Sequence, residues 1–223
     1  MNEFAAALIA GGRSRRMGTD KAFLDWHGRP LWEHQLEKLR ALEPMRLLLS
    51  CREGQGFPAG ESSAGMATAC PCSPLPEQSS TGGSRGQAKA MPALRLVFDA
   101  QKDCGPLGGV ASCLGACDAP LLAVLGIDLP LLPAEFLRDL LSKCTGQCGA
   151  VISLKGEYFE PLAAVYPRAM LALAEEQLAA GRLALQDFIR RGIESGLMRR
   201  VDVAVNAQWF TNVNAPGDLP PPD

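Results

Sequence analysis

Short, continuous apolar runs alternate along this chain with longer stretches in which apolar residues recur every three or four positions. The runs Phe4–Ala10, Arg46–Ser50, Leu94–Phe98, Leu121–Ile127, Ala150–Ser153 and Leu162–Tyr166 lack the in-and-out alternation of a half-wet sheet, and they predict strands covered on both faces. Between them Pro30–Leu42, Leu107–Cys117, Ala134–Lys143, Pro167–Ala180 and Leu183–Arg191 carry a helical period. Several open on proline, which has no hydrogen bond to lose in a first turn. Strand and helix in alternation predict the α/β class: a single three-layer domain with a Rossmann-like, mainly parallel sheet and helices on both faces. Ligands of such sheets gather beyond the carboxyl ends of the strands, so the residues just after each run are the candidates for chemistry.

Residues 54–92 break the pattern. Seven Gly, five Pro and six Ser stand among 39 positions, with Phe57, Met66, Leu75 and Met91 as the only large apolar side chains, too few to offset the entropy of ordering the segment. It reads as a flexible insertion between two strands of a single domain over 1–215, and Pro216 to Asp223 reads as a tail. The 176 residues left outside the insertion and tail suit one domain.

Charge narrows the partners. A formal net charge of −2 supplies no field for coating nucleic acid or an acidic membrane. The first apolar run has no basic segment before it and three arginines after it, the reverse of an export signal, and no run approaches the ~20 residues of a membrane helix. A cytoplasmic protein is expected, whose eight cysteines are reduced thiols. Cys113 and Cys117, and Cys144 and Cys148, each lie four apart, so a metal site assembled from the two pairs is conceivable, but the spacing is not that of common zinc knuckles and small core residues are the favoured reading. His27 and His34 are read as non-catalytic.

The chemistry collects at the run ends. Ile9 and Ala10 lead into Gly11-Gly12-Arg13-Ser14-Arg15-Arg16-Met17-Gly18-Thr19-Asp20-Lys21, where glycines let backbone N–H groups close on phosphate and the cations neutralise it. Neither the dinucleotide fingerprint nor the Walker loop fits this order. Asp99 follows the third run, ahead of a Gly105-Pro106-Leu107-Gly108-Gly109 turn. Its carboxylate is suited to accept from the donor edge of guanine or from ribose hydroxyls, or else to cap a turn. Asp128 leaves an apolar strand and requires a positive partner; Mg2+ shared with substrate phosphates satisfies it, and capping of the next helix is the alternative.

The segment Leu8 to Lys21 resembles the signature of the nucleotidyltransferases that make molybdenum cofactor dinucleotides, and most of all the molybdenum cofactor guanylyltransferase family. Val97-Phe98-Asp99 with the Gly-Pro-Leu turn, Leu125 to Pro130, and Phe210 to Leu219 are similar to later motifs of that family. The resemblance implies transfer of GMP from GTP to molybdopterin cofactor with release of pyrophosphate. It implies Arg16, Lys21 and Asp128 as catalytic, and Ile9, Ala10, Gly11, Gly12, Lys21, Asp99, Gly105 and Asp128 as nucleotide-binding. Asp128 and Asn214 would hold Mg2+, and Glu160, Pro161 and Asn212 would line the acceptor pocket. GTP, molybdopterin cofactor and, transiently, molybdenum-cofactor insertion proteins or apo-molybdoenzymes are the partners it implies. Two departures stand out: Ser50 and Cys51 where the family tends to carry asparagine, and the long 54–92 insertion. A cytidylyltransferase, another nucleotidyltransferase on a phosphorylated acceptor, and a non-catalytic nucleotide-binding regulator remain the rival readings.

Overall fold

The computed structural model describes residues 3–11, 20–58, 61–62, 92–99, 103–202 and 206–212. In chain order the elements are strand β1 (Phe4–Ile9), a 3-10 turn (Lys21–Phe23), the hairpin β2 (Asp25–Trp26) and β3 (Arg29–Pro30), helix α1 (Leu31–Arg40), β4 (Arg46–Cys51), β5 (Glu61–Ser62) and β6 (Leu94–Phe98). Then follow α2 (Gly105–Ala116), β7 (Leu121–Gly126), α3 (Ala134–Lys143), β8 (Gly149–Val151), the hairpin β9 (Ser153–Lys155) and β10 (Tyr158–Phe159), β11 (Ala163–Pro167), α4 (Met170–Ala179), α5 (Leu185–Glu194), β12 (Met198–Arg200) and a 3-10 turn (Ala207–Phe210).

Eight strands form one sheet in the order β12-β8-β11-β7-β1-β4-β6-β5. Every pairing is parallel except those of β11, which runs antiparallel to β7 and β8. Side chains alternate across the buried strands and divide the core in two. Phe4, Ala6 and Leu8 of β1 face α1 and α3, whereas Ala5, Ala7 and Ile9 face α2, α4 and α5. This is why the runs are apolar throughout: each strand has a helical layer on either side.

The chain leaves β1 toward β4 and β6, then returns through α2 to place β7 on the other side of β1. The order therefore reverses between β1 and β7, the position at which such sheets form a ligand-binding crevice beyond the strand ends.

The composition of residues 54–92 suggested a segment without core contacts, and its first part departs from that. Phe57 packs against Phe23 and Trp32, with ring centroids 5.0 and 5.5 Å apart. Gln55 and the added strand β5, which pairs with β6, also belong to the fold. One aromatic and one glutamine suffice because the pocket that receives them is built by other elements. Residues 63–91 and the tail from Pro216 lie outside the described residues. No described helix is long and apolar enough to cross a membrane.

The cysteine pairs separate. Cys113 and Cys117 are buried in the layer of α2, and Cys144 is buried in the layer of α3, so the sheet stands between them and no shared metal site forms. Burial raises the thiol pKa of Cys113, Cys117 and Cys144.

Candidate active site

One wall of the crevice is built from β1, β4 and β6. The Ala10 N–H donates to the Ser50 carbonyl at 3.1 Å, and the Asp99 N–H donates to the Cys51 carbonyl at 3.2 Å, so the three strand ends are fixed in register. Ser50, fully buried, donates its hydroxyl to Asp99 Oδ1 at 2.9 Å. The second oxygen, Oδ2, faces Gly11: a Cβ there would stand 3.0 Å from it. Gly109, in the second turn of α2, is required for the same reason, since a Cβ would meet Ser50 Oγ at 2.5 Å. Burial raises the pKa of Asp99, against the hydrogen bond from Ser50 and the charge of Arg52. The carboxylate is thus held by one oxygen and presented by the other. It does not cap α2, whose N-cap position is Cys104 and which has no side-chain capping hydrogen bond.

Two further contacts close this wall. Gln55 donates its amide to the Ala10 carbonyl at 3.0 Å and accepts from the Arg52 N–H at 2.8 Å. Asp20 caps the turn that carries Lys21, through Ala22 N–H at 3.1 Å, and its other oxygen meets Arg52 at 3.3 Å. Lys21 therefore enters on an anchored turn. Gly105 opens α2 with a φ of 60°, a conformation that favours glycine, and is exposed. Gly12 and Arg16 lie outside the described residues.

The opposite wall is the end of β7. The Ile127 N–H donates to the Ile9 carbonyl at 3.1 Å, and the Leu129 N–H closes a turn on the Gly126 carbonyl at 3.4 Å, with Asp128 inside that turn. A Cβ at Gly126 would lie 2.5 Å from Asp128 Oδ1 and 2.9 Å from Leu162 Cβ, so glycine lets the carboxylate fold back over the strand end. Asp128 Oδ1 is buried and has no hydrogen-bond partner among the described residues. The helix-capping alternative fails, because α3 begins at Ala134 with Pro133 as its N-cap.

Glu160 stands on the same wall, accepting from the Leu162 N–H at 3.2 Å. Burial pushes its carboxyl up to about 7, and the charge of Asp128 adds to the rise. Pro161 is next to it and accepts, through its carbonyl, from the buried Tyr166 hydroxyl at 2.7 Å. Asn212 is exposed, just past the closing 3-10 turn that Trp209 and Phe210 seat on Phe136. Asn214 lies outside the described residues.

A hard, anionic oxygen that is buried and unsatisfied suits a divalent cation of the Mg2+ type. Among the described residues no three His, Cys, Asp or Glu side chains converge, so phosphate oxygens and water would supply most of the ligands to such an ion. Sequence reasoning missed Ser50, Gln55 and Gln35, whose roles rest on partners far along the chain. Gln35 alone carried a signal, as a polar residue among Leu31, Trp32, Leu36 and Leu39 on the buried face of α1.

A family model, the MobA-like NTP transferase domain, matches residues 6–196. A probable molybdenum cofactor guanylyltransferase of Opitutus terrae is 31% identical, over 96% of this chain and 92% of its own. Among solved structures, molybdopterin-guanine dinucleotide biosynthesis protein A of Archaeoglobus fulgidus superposes with a TM-score of 0.62 at 20% identity, over 96% and 94% of the two chains. The 2-C-methyl-D-erythritol 4-phosphate cytidylyltransferase of Thermus thermophilus shares the fold at a TM-score of 0.58 and 16% identity, over 95% and 93%. With its strand-end carboxylates facing one crevice and this match along most of its length, the chain belongs to the MobA-like NTP transferase family.

Proposed function

We propose that this protein transfers GMP from GTP to the terminal phosphate of molybdopterin cofactor and releases pyrophosphate. The observation that carries the reading is the buried Asp128 Oδ1, without a hydrogen-bond partner among the described residues, at the strand end beside that of β1, where Gly11 faces Asp99. Asp128 would hold Mg2+, with Asn214 as a second oxygen ligand, and the ion supplies charge neutralisation at the phosphates when bound. Gly11 and Gly12 give backbone room for the triphosphate, and Lys21 and Arg16 stabilise charge on the departing pyrophosphate. Asp99 selects the base: guanine offers two adjacent donors to one carboxylate, whereas the pairing edge of cytosine offers one donor beside two acceptors. Glu160, Pro161 and Asn212 are assigned to the acceptor side.

The acceptor phosphate attacks the α-phosphorus directly, so no protein nucleophile is needed and the protein's work is positioning and electrostatics. Pyrophosphate release from GTP, CTP, UTP and ATP, with and without molybdopterin cofactor, tests the assignment. Release should require GTP and the cofactor together; equal turnover with CTP refutes the role of Asp99. Asp128→Asn keeps the shape and removes the charge, so turnover should drop on the order of 10²-fold with Tm nearly unchanged. A folded, fully active variant removes Asp128 from the chemistry.

A further inference from the structure

Gln35 is fully buried on α1, on a face otherwise made of Leu31, Trp32, Leu36 and Leu39. Its side-chain amide donates twice, to the Gly126 carbonyl at 3.0 Å and to the Leu129 carbonyl at 3.1 Å. Those carbonyls are the two ends of the turn that holds Asp128. The two acceptors fix the orientation of the amide, because the flipped group would set oxygen against oxygen. Its own oxygen, Oε1, is then buried without a partner among the described residues. One turn further along α1, Lys38 donates to the Pro130 carbonyl. The helix grips three backbone carbonyls of one short loop.

Packing alone does not account for this. A leucine or methionine at position 35 would continue the apolar face without burying an unpaired amide oxygen, so the glutamine comes at a cost to the core. The beneficiary is the loop: its side chain of interest, Asp128, folds back over Gly126, while both ends of its turn are tied down from the helix side.

We infer that Gln35, assisted by Lys38, is a positioning residue that presets the Asp128 carboxylate for its cation. The inference rests on the reading of Asp128 as the cation ligand. Neither residue touches substrate. They act by removing the freedom of the 126–130 turn, so that the carboxylate does not have to be ordered when the ion arrives.

The test is binding of Mn2+, followed by its paramagnetic resonance in the presence of a non-hydrolysable GTP analogue and no acceptor. Three variants are compared with the unmodified protein: Gln35→Met, Lys38→Met and Asp128→Asn. Gln35→Met should raise the half-saturating Mn2+ concentration about 10-fold or more, as loss of supporting contacts does at metal sites. Turnover in Mg2+ should recover as the ion is raised, with KM for GTP within about twofold of the original. Lys38→Met should move the same way by less, and it decides the matter if Gln35→Met does not fold. Unchanged Mn2+ affinity in a folded Gln35→Met protein, with only Tm lowered, overturns the inference while Asp128→Asn still loses the ion. If Asp128→Asn binds Mn2+ normally, the reading of Asp128 fails first and the positioning role fails with it.

Discussion

Single atoms decide the geometry of this site at two glycines. Gly126 is the more exposed to test, because the clash a methyl group would make there is with Asp128 Oδ1 itself, at 2.5 Å, and with Leu162. Gly126→Ala should therefore push the carboxylate off its perch. A displacement of about 1 Å in a reacting group is worth on the order of 10²-fold in rate. Pyrophosphate release and thermal melting on one preparation check this: the activity loss should far exceed what the fall in Tm implies, and retained activity would show that the carboxylate tolerates the shift. At this scale the sequence was partly legible. Asp99 and Asp128 are recognisable as carboxylates leaving apolar strands, but the partners that orient them, Ser50 from β4 and Gln35 from α1, are joined to them only by the pairing of distant strands.

Elements were far more legible than contacts, for a physical reason. The runs at 4–10, 46–50, 94–98 and 121–127 are continuously apolar because a layer of helix covers each face, so β1, β4, β6 and β7 appear almost where the pattern put them. The two-residue hairpin strands β2, β3 and β10, and the edge strand β12, carry too few residues to show a period. Composition misled at the start of the 54–92 segment, where Phe57 and Gln55 contribute by packing on and bonding to other elements. Replacing 54–92 by a short Gly/Ser linker removes two aromatic contacts and the Gln55 bonds, whereas replacing from 63 onward keeps them. The first chimera should be less stable than the second by on the order of 2 kcal/mol or more. That corresponds to roughly 4–8 °C in Tm for a domain of this size. Equal melting of the two chimeras would show that Phe57 and Gln55 are passengers.

Across the whole molecule, two buried titrations oppose each other. Burial lowers His34 to about 4, with the charge of Lys38 adding to the fall, so stability is lost as pH drops from 6.5 toward 4, where the unfolded chain takes up the proton first. Burial raises Glu160 from 4.5 to about 7, so its contribution is full below 4.5 and is lost as pH climbs to about 7. The slopes cancel in part between 4.5 and 6.5. In metal-free protein, Glu160→Gln should raise Tm above pH 7, by a stabilisation on the order of 1–3 kcal/mol. It should also leave a steeper acid-side decline due to His34; melting curves of this variant and of His34→Gln across pH 4–8 separate the two. A profile for Glu160→Gln parallel to the original would mean the carboxyl titrates normally. The larger consequence lies in β1, which stands as a partition. The residues that would choose the base, Asp99 and Ser50, lie on its β4–β6 side, and Asp128 and Glu160, proposed for the cation and the acceptor, lie on its β7–β11 side. Two strand spacings, about 10 Å, separate β4 from β7 and three separate β6 from β7, enough for changes at one to leave the other's energetics nearly untouched. Such a scaffold is evolvable in pieces: selection is free to rewrite base choice on one side of a single strand while the carboxylate proposed for the cation on the other is inherited unchanged.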